Sequence, residues 1–365
     1  MELKIARGQF VEALDTVTSV VSSRPTLPIL GNVLMDVRKK EIILSATDLE
    51  VGVVIKVEAQ STAEGKITVP ARKLLDVMKE MPADEVRITT DAGARMQLSA
   101  GSVEIKLLGL PPDEFPQLPE VKKDAEVKVG AKVFAEMIRK TIYSVSADET
   151  RYVLNGALVL WEKSELKVVT TDGRRLAFMR RPLQSAGGKG EAIIPTKALQ
   201  ELMRLLGNRE DEVTMTLGEG YARFSAGNVA LTTRLIDGNF PDYEQVIPKT
   251  NDKKVVMDTA VFLAGVRRAS LIAADRSSSV RIDAKTGGLV LTASSPELGE
   301  AREELPAKYE GDTLSVAYNA RYLMDVLKNI ESKEVLLELS TPLAPGVLKP
   351  VGDETYVCVV MPIRL

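Results

Sequence analysis

Apolar residues recur at positions i, i+3, i+4 and i+7 in six stretches of the chain, and polar residues fill the positions between them. In the first stretch the apolar positions are Phe10, Ala13, Leu14 and Val17. This spacing places the apolar side chains on one face of an α-helix. The pattern therefore predicts six amphipathic helices, at residues 9–21, 71–80, 131–143, 196–206, 259–272 and 320–329.

Short apolar runs bounded by turn residues lie between the helices. In the first third of the chain they are Glu41–Ala46, Gly52–Val57, Val86–Thr90 and Val103–Leu107. Such runs predict β-strands. The connections between them are shorter than the dozen or more residues that a parallel crossover needs. The predicted fold class is therefore α+β, with the helices on one face of antiparallel sheets.

One pattern occurs three times along the chain. Val69–Met78 resembles Ile194–Met203, and both resemble Tyr318–Leu327. The same period relates Thr47–Glu50 to Thr171–Arg175. A period of about 125 residues is the length of a domain and too long for a solenoid unit. We therefore predict three repeated domains with two helices each, at residues 1–119, 125–248 and 253–365, and we refer to them as the first, second and third copies.

The composition is that of a globular protein, since 45% of the 365 residues are hydrophobic and 27% are charged. Every long apolar window is interrupted by a charged residue before the roughly 20 residues that a bilayer span needs. The first residues, Met1–Lys4, lack the apolar stretch of a signal peptide. We therefore expect no membrane span and a cytoplasmic location.

The sequence contains no His and a single Cys, Cys358. Serine triads that use His, His-ligated metals, disulfide frameworks and multi-Cys zinc sites are thus excluded. Cys358 lies in the apolar run Tyr356–Val360, which favours a packing role over a nucleophilic one. No GxxxxGK[ST] phosphate loop is present. We expect no catalytic residue, no metal and no cofactor.

An enzymatic hypothesis remains open for the carboxylates Asp48, Glu50 and Asp172, because paired acids act as general acids and bases or bind Mg²⁺. Asp48 and Asp172 recur at matching turn positions, however, which favours a structural role. A further hypothesis is a scaffold that binds only proteins.

The charge is distributed unevenly between the predicted helices and the rest of the chain. The whole chain has 48 Lys and Arg against 51 Asp and Glu, but the six helical segments carry 12 basic and 7 acidic residues. One interpretation is that Lys and Arg are simply good helix formers on solvated faces. The other is a weak positive surface that follows phosphate backbones without reading sequence.

Seven dispersed motifs closely resemble the bacterial DNA polymerase III beta subunit family, the sliding clamps. They are Arg24–Asn32, Thr47–Glu50, Val69–Lys73, Arg151–Gly156, Thr171–Ala177, Phe240–Tyr243 and Val360–Leu365. The resemblance covers the chain from end to end and favours the second interpretation of the helices. It implies the DNA clamp fold: a head-to-tail homodimeric ring, with the helices lining the hole and the antiparallel sheets outside.

The resemblance also implies partners and site residues. The partners are double-stranded DNA bound without sequence preference, a second copy of the chain, a clamp loader, the replicative polymerase and other proteins with a clamp-binding motif. The implied peptide-binding pocket consists of Leu154, Thr171, Gly173, Arg174, Arg175, Leu176, Pro241, Val246, Val359 and Met361, surrounded by Arg151, Gly156, Asn319, Tyr322, Pro362 and Arg364.

Two further sets of residues follow from the same resemblance. The implied DNA contacts are Arg24, Arg72, Lys73 and Lys197. The implied dimer interface pairs Lys73, Arg95, Ile105, Lys106 and Leu107 with Leu271, Ile272, Glu300, Glu303 and Glu304. The chain departs from many family members at Arg174, where His is common, and at Val153, where an aromatic residue is common. The Pro-rich segment 342–346, at the rim of the implied pocket, does not align with the family's pattern.

Overall fold

The computed structural model describes residues 1–22, 24–91, 93–184, 188–207, 209–273 and 278–364. Leu365, the last residue of the motif at the end of the chain, lies outside these residues. By its contacts the chain divides into two compact units. Unit 1 comprises 1–135 and 183–236, and unit 2 comprises 136–182 and 237–365.

All six predicted helices are confirmed. They are α1 (Arg7–Thr18), α2 (Ala71–Glu80), α3 (Ala131–Thr141), α4 (Thr196–Leu206), α5 (Thr259–Ser270) and α6 (Ala320–Asn329). Three of them, α1, α3 and α5, end earlier than predicted. After α1, the Ser19 hydroxyl donates to the carbonyl of Thr16 at 2.9 Å. After α3, the chain tightens into a 3₁₀ turn at Ile142–Ser144.

The apolar faces of the helices are buried, as their spacing predicts. Phe10, Leu14 and Val17 of α1 are completely buried. In α2 the buried stripe is shifted to one side of the expected one, because Leu75 is buried and Val77, which the spacing predicts to be buried, is only half-buried.

The strands, numbered in chain order, are as follows. They are β1 (Glu2–Ala6), β2 (Asn32–Val37), β3 (Glu41–Thr47), β4 (Val51–Glu58), β5 (Gln60–Ala63), β6 (Gly65–Pro70), β7 (Glu85–Thr90), β8 (Arg95–Ala100), β9 (Val103–Leu108), β10 (Ala125–Gly130), β11 (Gly156–Glu162), β12 (Glu165–Thr171), β13 (Arg175–Pro182), β14 (Lys189–Pro195), β15 (Glu212–Gly218), β16 (Tyr221–Ala226), β17 (Val229–Arg234), β18 (Lys253–Asp258), β19 (Ser279–Lys285), β20 (Gly288–Ser295), β21 (Gly299–Pro306), β22 (Leu314–Asn319), β23 (Glu334–Leu339), β24 (Gly346–Pro350) and β25 (Tyr356–Val360).

Unit 1 contains a five-stranded sheet in the order β5-β1-β7-β8-β9 and an eight-stranded sheet in the order β10-β15-β16-β17-β4-β3-β2-β6. The larger sheet joins two copies of the repeat, because β17 of the second copy pairs antiparallel with β4 of the first. Leu231 lies opposite Val53 in this pairing, and both side chains are buried. A joint of this kind is stabilised by backbone hydrogen bonds as well as by apolar packing.

Unit 2 repeats this arrangement. The strands that unit 2 contributes to its larger sheet follow the order β11-β12-β13-β25-β24-β23-β18, and its smaller sheet runs β21-β20-β19-β22. Here β13 of the second copy pairs antiparallel with β25 of the third, with Leu176 opposite Val359 and Phe178 opposite Val357. The α+β fold class with antiparallel sheets is thereby confirmed. In the described parts of the chain, no helix is both long and apolar enough to cross a membrane.

Candidate functional site

Unit 2 contains a small apolar pocket beside the β13–β25 pairing. It offers about 460 Å³ of free space that is partly open to solvent. The lining residues are Leu154, Thr171, Gly173, Arg175, Leu176, Pro241, Tyr243, Val246, Val359 and Met361. An apolar cavity with a few polar groups at its edge is suited to the hydrophobic side chains of a peptide.

The turn between β12 and β13 forms one wall of this pocket. The Thr171 hydroxyl donates to the carbonyl of Arg175 at 2.7 Å and accepts from the backbone N–H of Gly173 at 3.0 Å. The Asp172 carboxylate accepts from the backbone N–H groups of Arg174 and Arg175. Gly173 has φ = +83°, a left-handed conformation that glycine adopts without strain. The sequence Thr-Asp-Gly thus fixes the turn through its own side chains.

The Arg175 side chain holds this wall in place through hydrogen bonds. Its side chain is buried and donates to Asp172 Oδ2 at 3.1 Å, to Asp325 Oδ2 at 2.7 Å and to the carbonyl of Tyr143 at 2.6 Å. The guanidinium carbon also lies 4.5 Å from the centre of the Tyr322 ring. A buried charge is tolerated only when it is paired and hydrogen-bonded, and Arg175 meets both conditions. Arg175 therefore connects this wall of the pocket to Tyr322 and Asp325 of α6.

A segment from Pro241 to Val246 forms the opposite wall. The Asp242 carboxylate accepts from the backbone N–H of Glu244 at 3.1 Å, which caps the 3₁₀ turn Tyr243–Gln245. The Tyr243 ring stacks on Phe178, with 5.7 Å between ring centres. Tyr243 lines the pocket but is absent from the residues expected there. The motif Phe240–Tyr243 was the available indication of its position.

The end of β25 completes the pocket with Val359 and Met361. The backbone N–H of Met361 donates to the carbonyl of Arg174 at 2.9 Å, and that of Ile363 donates to the carbonyl of Ala317 at 2.8 Å. These bonds hold the last described residues against the turn before β13 and against β22. The geometry thus brings nine of the ten residues expected to form the pocket around one cavity.

The remaining expected pocket residues lie near the cavity without lining it. Arg174 contributes its carbonyl to Met361. The exposed Arg151 donates to the carbonyl of Asp172 at 3.3 Å. Asn319 caps α6 by accepting from the backbone N–H of Arg321 at 2.9 Å. The others are placed as follows: Gly156 begins β11, Tyr322 stacks on Arg175, and Pro362 and Arg364 follow Met361.

The first copy contains the same turn but a different surface. Thr47 and Asp48 make the hydrogen bonds that Thr171 and Asp172 make, here to Leu49, Glu50 and Val51. Where Leu176 follows the second turn, Gly52 follows the first. The Leu118 side chain covers Gly52, with a methyl 2.5 Å from where a Cβ would stand. The place that is an open pocket in the second copy is therefore covered by the chain itself in the first.

These contacts give the recurring acids a structural explanation. Asp172 is bound by two backbone N–H groups and by Arg175. Asp48 caps its own turn and pairs with Lys197, which also lies 3.6 Å from Glu50. Partial burial opposes the charge on Lys197, but the Asp48 hydrogen bond and the two carboxylates raise its pKa on balance. Burial raises the pKa of the Cys358 thiol to about 11, which keeps it protonated and unreactive.

The residues expected to contact DNA all lie in unit 1. Arg24 and Lys73 are exposed. The Arg72 guanidinium donates to the carbonyl of Val21 at 3.1 Å, and Lys197 is paired with Asp48. Two of the four cations are therefore already engaged within the chain, although both remain accessible to solvent.

The residues expected at a dimer interface lie on two sheet edges. In unit 1, β9 is the last strand of its sheet and carries Ile105, Lys106 and Leu107. In unit 2, β21 is the last strand of its sheet and carries Glu300, Glu303 and Glu304. A sheet edge presents unpaired N–H and C=O groups to another strand. Of the other expected interface residues, Arg95 is exposed at the start of β8, and Leu271 and Ile272 follow α5.

Some of the expected interface charges already have partners in the chain. Arg268 Nε donates to Glu303 Oε2 at 2.9 Å, and this hydrogen bond lowers the pKa of Glu303. Glu304 pairs with Arg302 and Lys285, and both lower its pKa. Leu271, by contrast, is a large apolar side chain that is 71% exposed. Apolar burial would thus supply most of the stability of any interface formed here.

Taken together, the repeated helix pairs, the antiparallel sheets that join successive copies and the pocket beside the final strand define a protein of the DNA clamp fold. The chain belongs to the DNA polymerase III beta subunit family. The models of its N-terminal, central and C-terminal domains match residues 1–119, 128–242 and 244–364. This family comprises the bacterial DNA sliding clamps, which are polymerase processivity factors and not catalytic enzymes.

Several known proteins are similar over the whole chain. The beta sliding clamp of Staphylococcus aureus is 33% identical over 375 residues, which cover 100% of this chain and 99% of the relative. A DnaN sliding clamp from Pseudomonas aeruginosa, solved with bound griselimycin, has 33% identity and a TM-score of 0.96, with 100% of both chains covered. The Bacillus subtilis clamp has 28% identity and a TM-score of 0.95, covering 100% of this chain and 99% of that one.

Proposed function

We propose that this sliding clamp acts as a ring-shaped homodimer that encircles duplex DNA and carries its partners through the apolar pocket of unit 2. The observation that carries the proposal is the pocket itself, whose apolar walls converge from the turn after β12, the segment Pro241–Val246 and the end of β25. A short peptide with Gln followed by Leu and Phe would place its hydrophobic side chains there. The replicative polymerase, the clamp loader and other motif-bearing proteins would share this site.

The ring would close through the two free sheet edges, β9 of one chain and β21 of the other. A head-to-tail contact closes into a ring when its rotation permits. Ile105 and Leu107 would pack near Leu271 and Ile272, and Lys73, Arg95 and Lys106 would approach Glu300, Glu303 and Glu304. The proposed domains are 1–119, 125–248 and 253–365, so that two chains give six similar domains.

Contacts with DNA would be weak and independent of sequence. Arg24, Arg72, Lys73 and Lys197 would approach phosphates, and each neutralised phosphate adds about 0.9 to the slope of log affinity against log salt concentration. Retention on DNA would come from encirclement, which leaves the ring free to slide. Because the bacterial chromosome lies in the cytoplasm, we propose that location for the clamp. The chain would need no metal or cofactor of its own.

Primer extension with the cognate polymerase and loader tests the proposal. The clamp should lengthen the products of each binding event and leave the rate of single-nucleotide addition nearly unchanged, because the chemistry belongs to the polymerase. It should stay on circular DNA and run off linear DNA, which a scaffold that binds only proteins would not do. Equal product lengths with and without the chain would contradict the proposed function.

A further inference from the structure

A second groove lies next to the pocket on the same face of the same sheet. It offers about 700 Å³ of free space open to solvent. The residues that line it are Lys167, Phe178, Arg180, Tyr243, Glu244, Ile247, Lys249, Glu354 and Val357. We call it the flanking groove. It includes Tyr243, which also lines the pocket.

The two cavities follow one another along β13 and β25. Side chains alternate between the faces of a strand, so Leu176, Phe178 and Arg180 of β13 share one face. Leu176 lines the pocket, whereas Phe178 and Arg180 line the groove. On β25 the order is the same, with Val359 in the pocket and its near neighbour Val357 in the groove. The Tyr243–Phe178 stack forms the boundary between them.

This geometry sets the length of chain that the groove would accept. The path from Leu176 to Arg180 covers four residues of strand, or roughly 13 Å at about 3.3 Å per residue. An extended peptide anchored in the pocket would therefore reach the far end of the groove with about four additional residues.

The charges around the groove favour an occupant with a carboxylate. Lys167 and Arg180 share one partner, Glu165, at 3.6 and 3.3 Å. Of the two rim acids, Glu354 pairs with Lys349 at 3.0 Å, whereas Glu244 accepts a hydrogen bond from the Tyr243 hydroxyl at 3.3 Å and keeps its charge. Among the residues that the structure describes, Lys249 has no ion-pair partner.

We propose that the flanking groove binds the residues adjacent to the clamp-binding motif in the same partner peptide, with an apolar side chain on Phe178, Ile247 and Val357 and a carboxylate at Lys249. This inference rests on the proposed role of the pocket. The groove then discriminates between partners that carry the same core motif, because their flanking sequences differ. Lys249 and Ile247 are specificity-determining residues outside the pocket.

The test compares peptides by fluorescence polarisation on the full-length chain. One peptide carries only the core motif, and two others add four residues with one Leu and one Asp, at either the N-terminal or the C-terminal end. One extended peptide should bind about tenfold more tightly than the core, as expected for burying one apolar side chain against an ordering cost. Replacing its Asp with Lys should reduce this gain.

Two variants test whether the extra affinity of the extended peptide comes from the flanking groove. Ile247→Ala and Lys249→Glu should each remove most of the extra affinity of the extended peptide. Both variants should bind the core peptide with unchanged affinity, which also shows that the fold is intact. Lys254→Glu is the matched control, because Lys254 is exposed on β18, three strands from β25 in the same sheet. It makes the same charge change and should retain the gain.

The outcomes separate the two proposals. If the core peptide does not bind the unmodified chain, the proposed function of the pocket is wrong. If the core peptide binds but neither extension improves its affinity, only the flanking groove is wrong. A gain that survives both Ile247→Ala and Lys249→Glu would also overturn the inference.

Discussion

Leu49 and Gly173 hold the same left-handed backbone conformation, with φ of +80° and +83°, in two copies of one turn. Both turns are fixed by a Thr and an Asp that make matching hydrogen bonds to the backbone. Glycine adopts this conformation freely, whereas for a residue with a Cβ it costs about 1–2 kcal/mol of conformational free energy. The first turn is therefore strained at Leu49.

Replacing Leu49 with Gly should stabilise unit 1. The Leu49 side chain is 57% exposed, so its removal forfeits little burial. Relief of the strain, less the entropy that glycine adds to the unfolded chain, should raise the free energy of unfolding by roughly 0.5–1 kcal/mol. Urea denaturation measures the change. Gly173→Ala is the reverse control and should destabilise the chain by about 1 kcal/mol. A lower stability of Leu49→Gly would contradict the strain argument.

The combined substitution Leu271→Ala and Ile272→Ala should convert the proposed dimer to monomers. If both side chains are buried between chains, their loss at about 0.8 kcal/mol per CH₂ weakens each of the two contacts that would close the ring by about a thousandfold. Sedimentation velocity at micromolar concentration reports the mass. Leu27→Ala is a suitable control, since Leu27 is a 50% exposed leucine away from the two sheet edges. An intact dimer of the double variant would exclude this interface.

A charge at Met361 should abolish peptide binding and leave the dimer intact. Met361→Glu places a carboxylate in an apolar wall, where a bound hydrophobic side chain would desolvate it. The micromolar affinity expected for the core peptide, about −8 kcal/mol, should become undetectable by fluorescence polarisation. Met361→Leu should retain binding because it preserves the volume. If Met361→Glu abolished both the dimer and peptide binding, the end of the chain would have only a structural role.

Alkaline pH should destabilise unit 2 through Cys358. Burial raises the pKa of this thiol to about 11, whereas in the unfolded chain it stays near 9.0. The unfolded state therefore loses its proton first, and stability falls as the pH rises from 9 towards 11. Between pH 8 and 10 the unmodified chain should lose about 1 kcal/mol more than Cys358→Ala.

Urea denaturation at the two pH values gives this difference. The buried hydroxyls of Tyr143 and Tyr356, whose pKa values burial also raises, contribute to both chains. Tyr143→Phe should therefore reduce the alkaline loss while Cys358 still contributes. An equal loss in the unmodified chain and Cys358→Ala would show that the thiol is not shielded from water.

The helices were predictable because each has to bury one face, and the apolar residues of that face lie close together in the sequence, as do Phe10, Leu14 and Val17. The meander strands of the first copy were predictable for the same reason. The pairing of β13 with β25 was not, because the partner of Leu176 lies 183 positions further along the chain, at Val359. No local pattern specifies a pairing across that distance.

The candidate site likewise has one part that the local sequence predicts and another part that depends on contacts between distant residues. Thr171, Asp172 and Gly173 predict their turn from side-chain chemistry alone, and the structure shows those hydrogen bonds. Tyr243 lines the pocket where it stacks on Phe178, which belongs to a different part of the sequence. The covering of the first copy's surface by Leu118 likewise depends on a contact with the distant Gly52.

Each of the two units consists of two separate segments of the chain, and this order affects how the protein folds while it is being synthesised. Strand β13 ends at Pro182, but its neighbour β25 begins only at Tyr356. At roughly 5–20 residues per second, the intervening chain takes about 10–40 s to synthesise. During that time β13 exposes an apolar edge that carries Leu176 and Phe178, while unit 1 is complete once Ile236 has appeared. We therefore expect the nascent clamp to pass through a half-folded state in which β13 is paired with β12 on one side and has a free edge on the other, where chaperones that shield such edges would act.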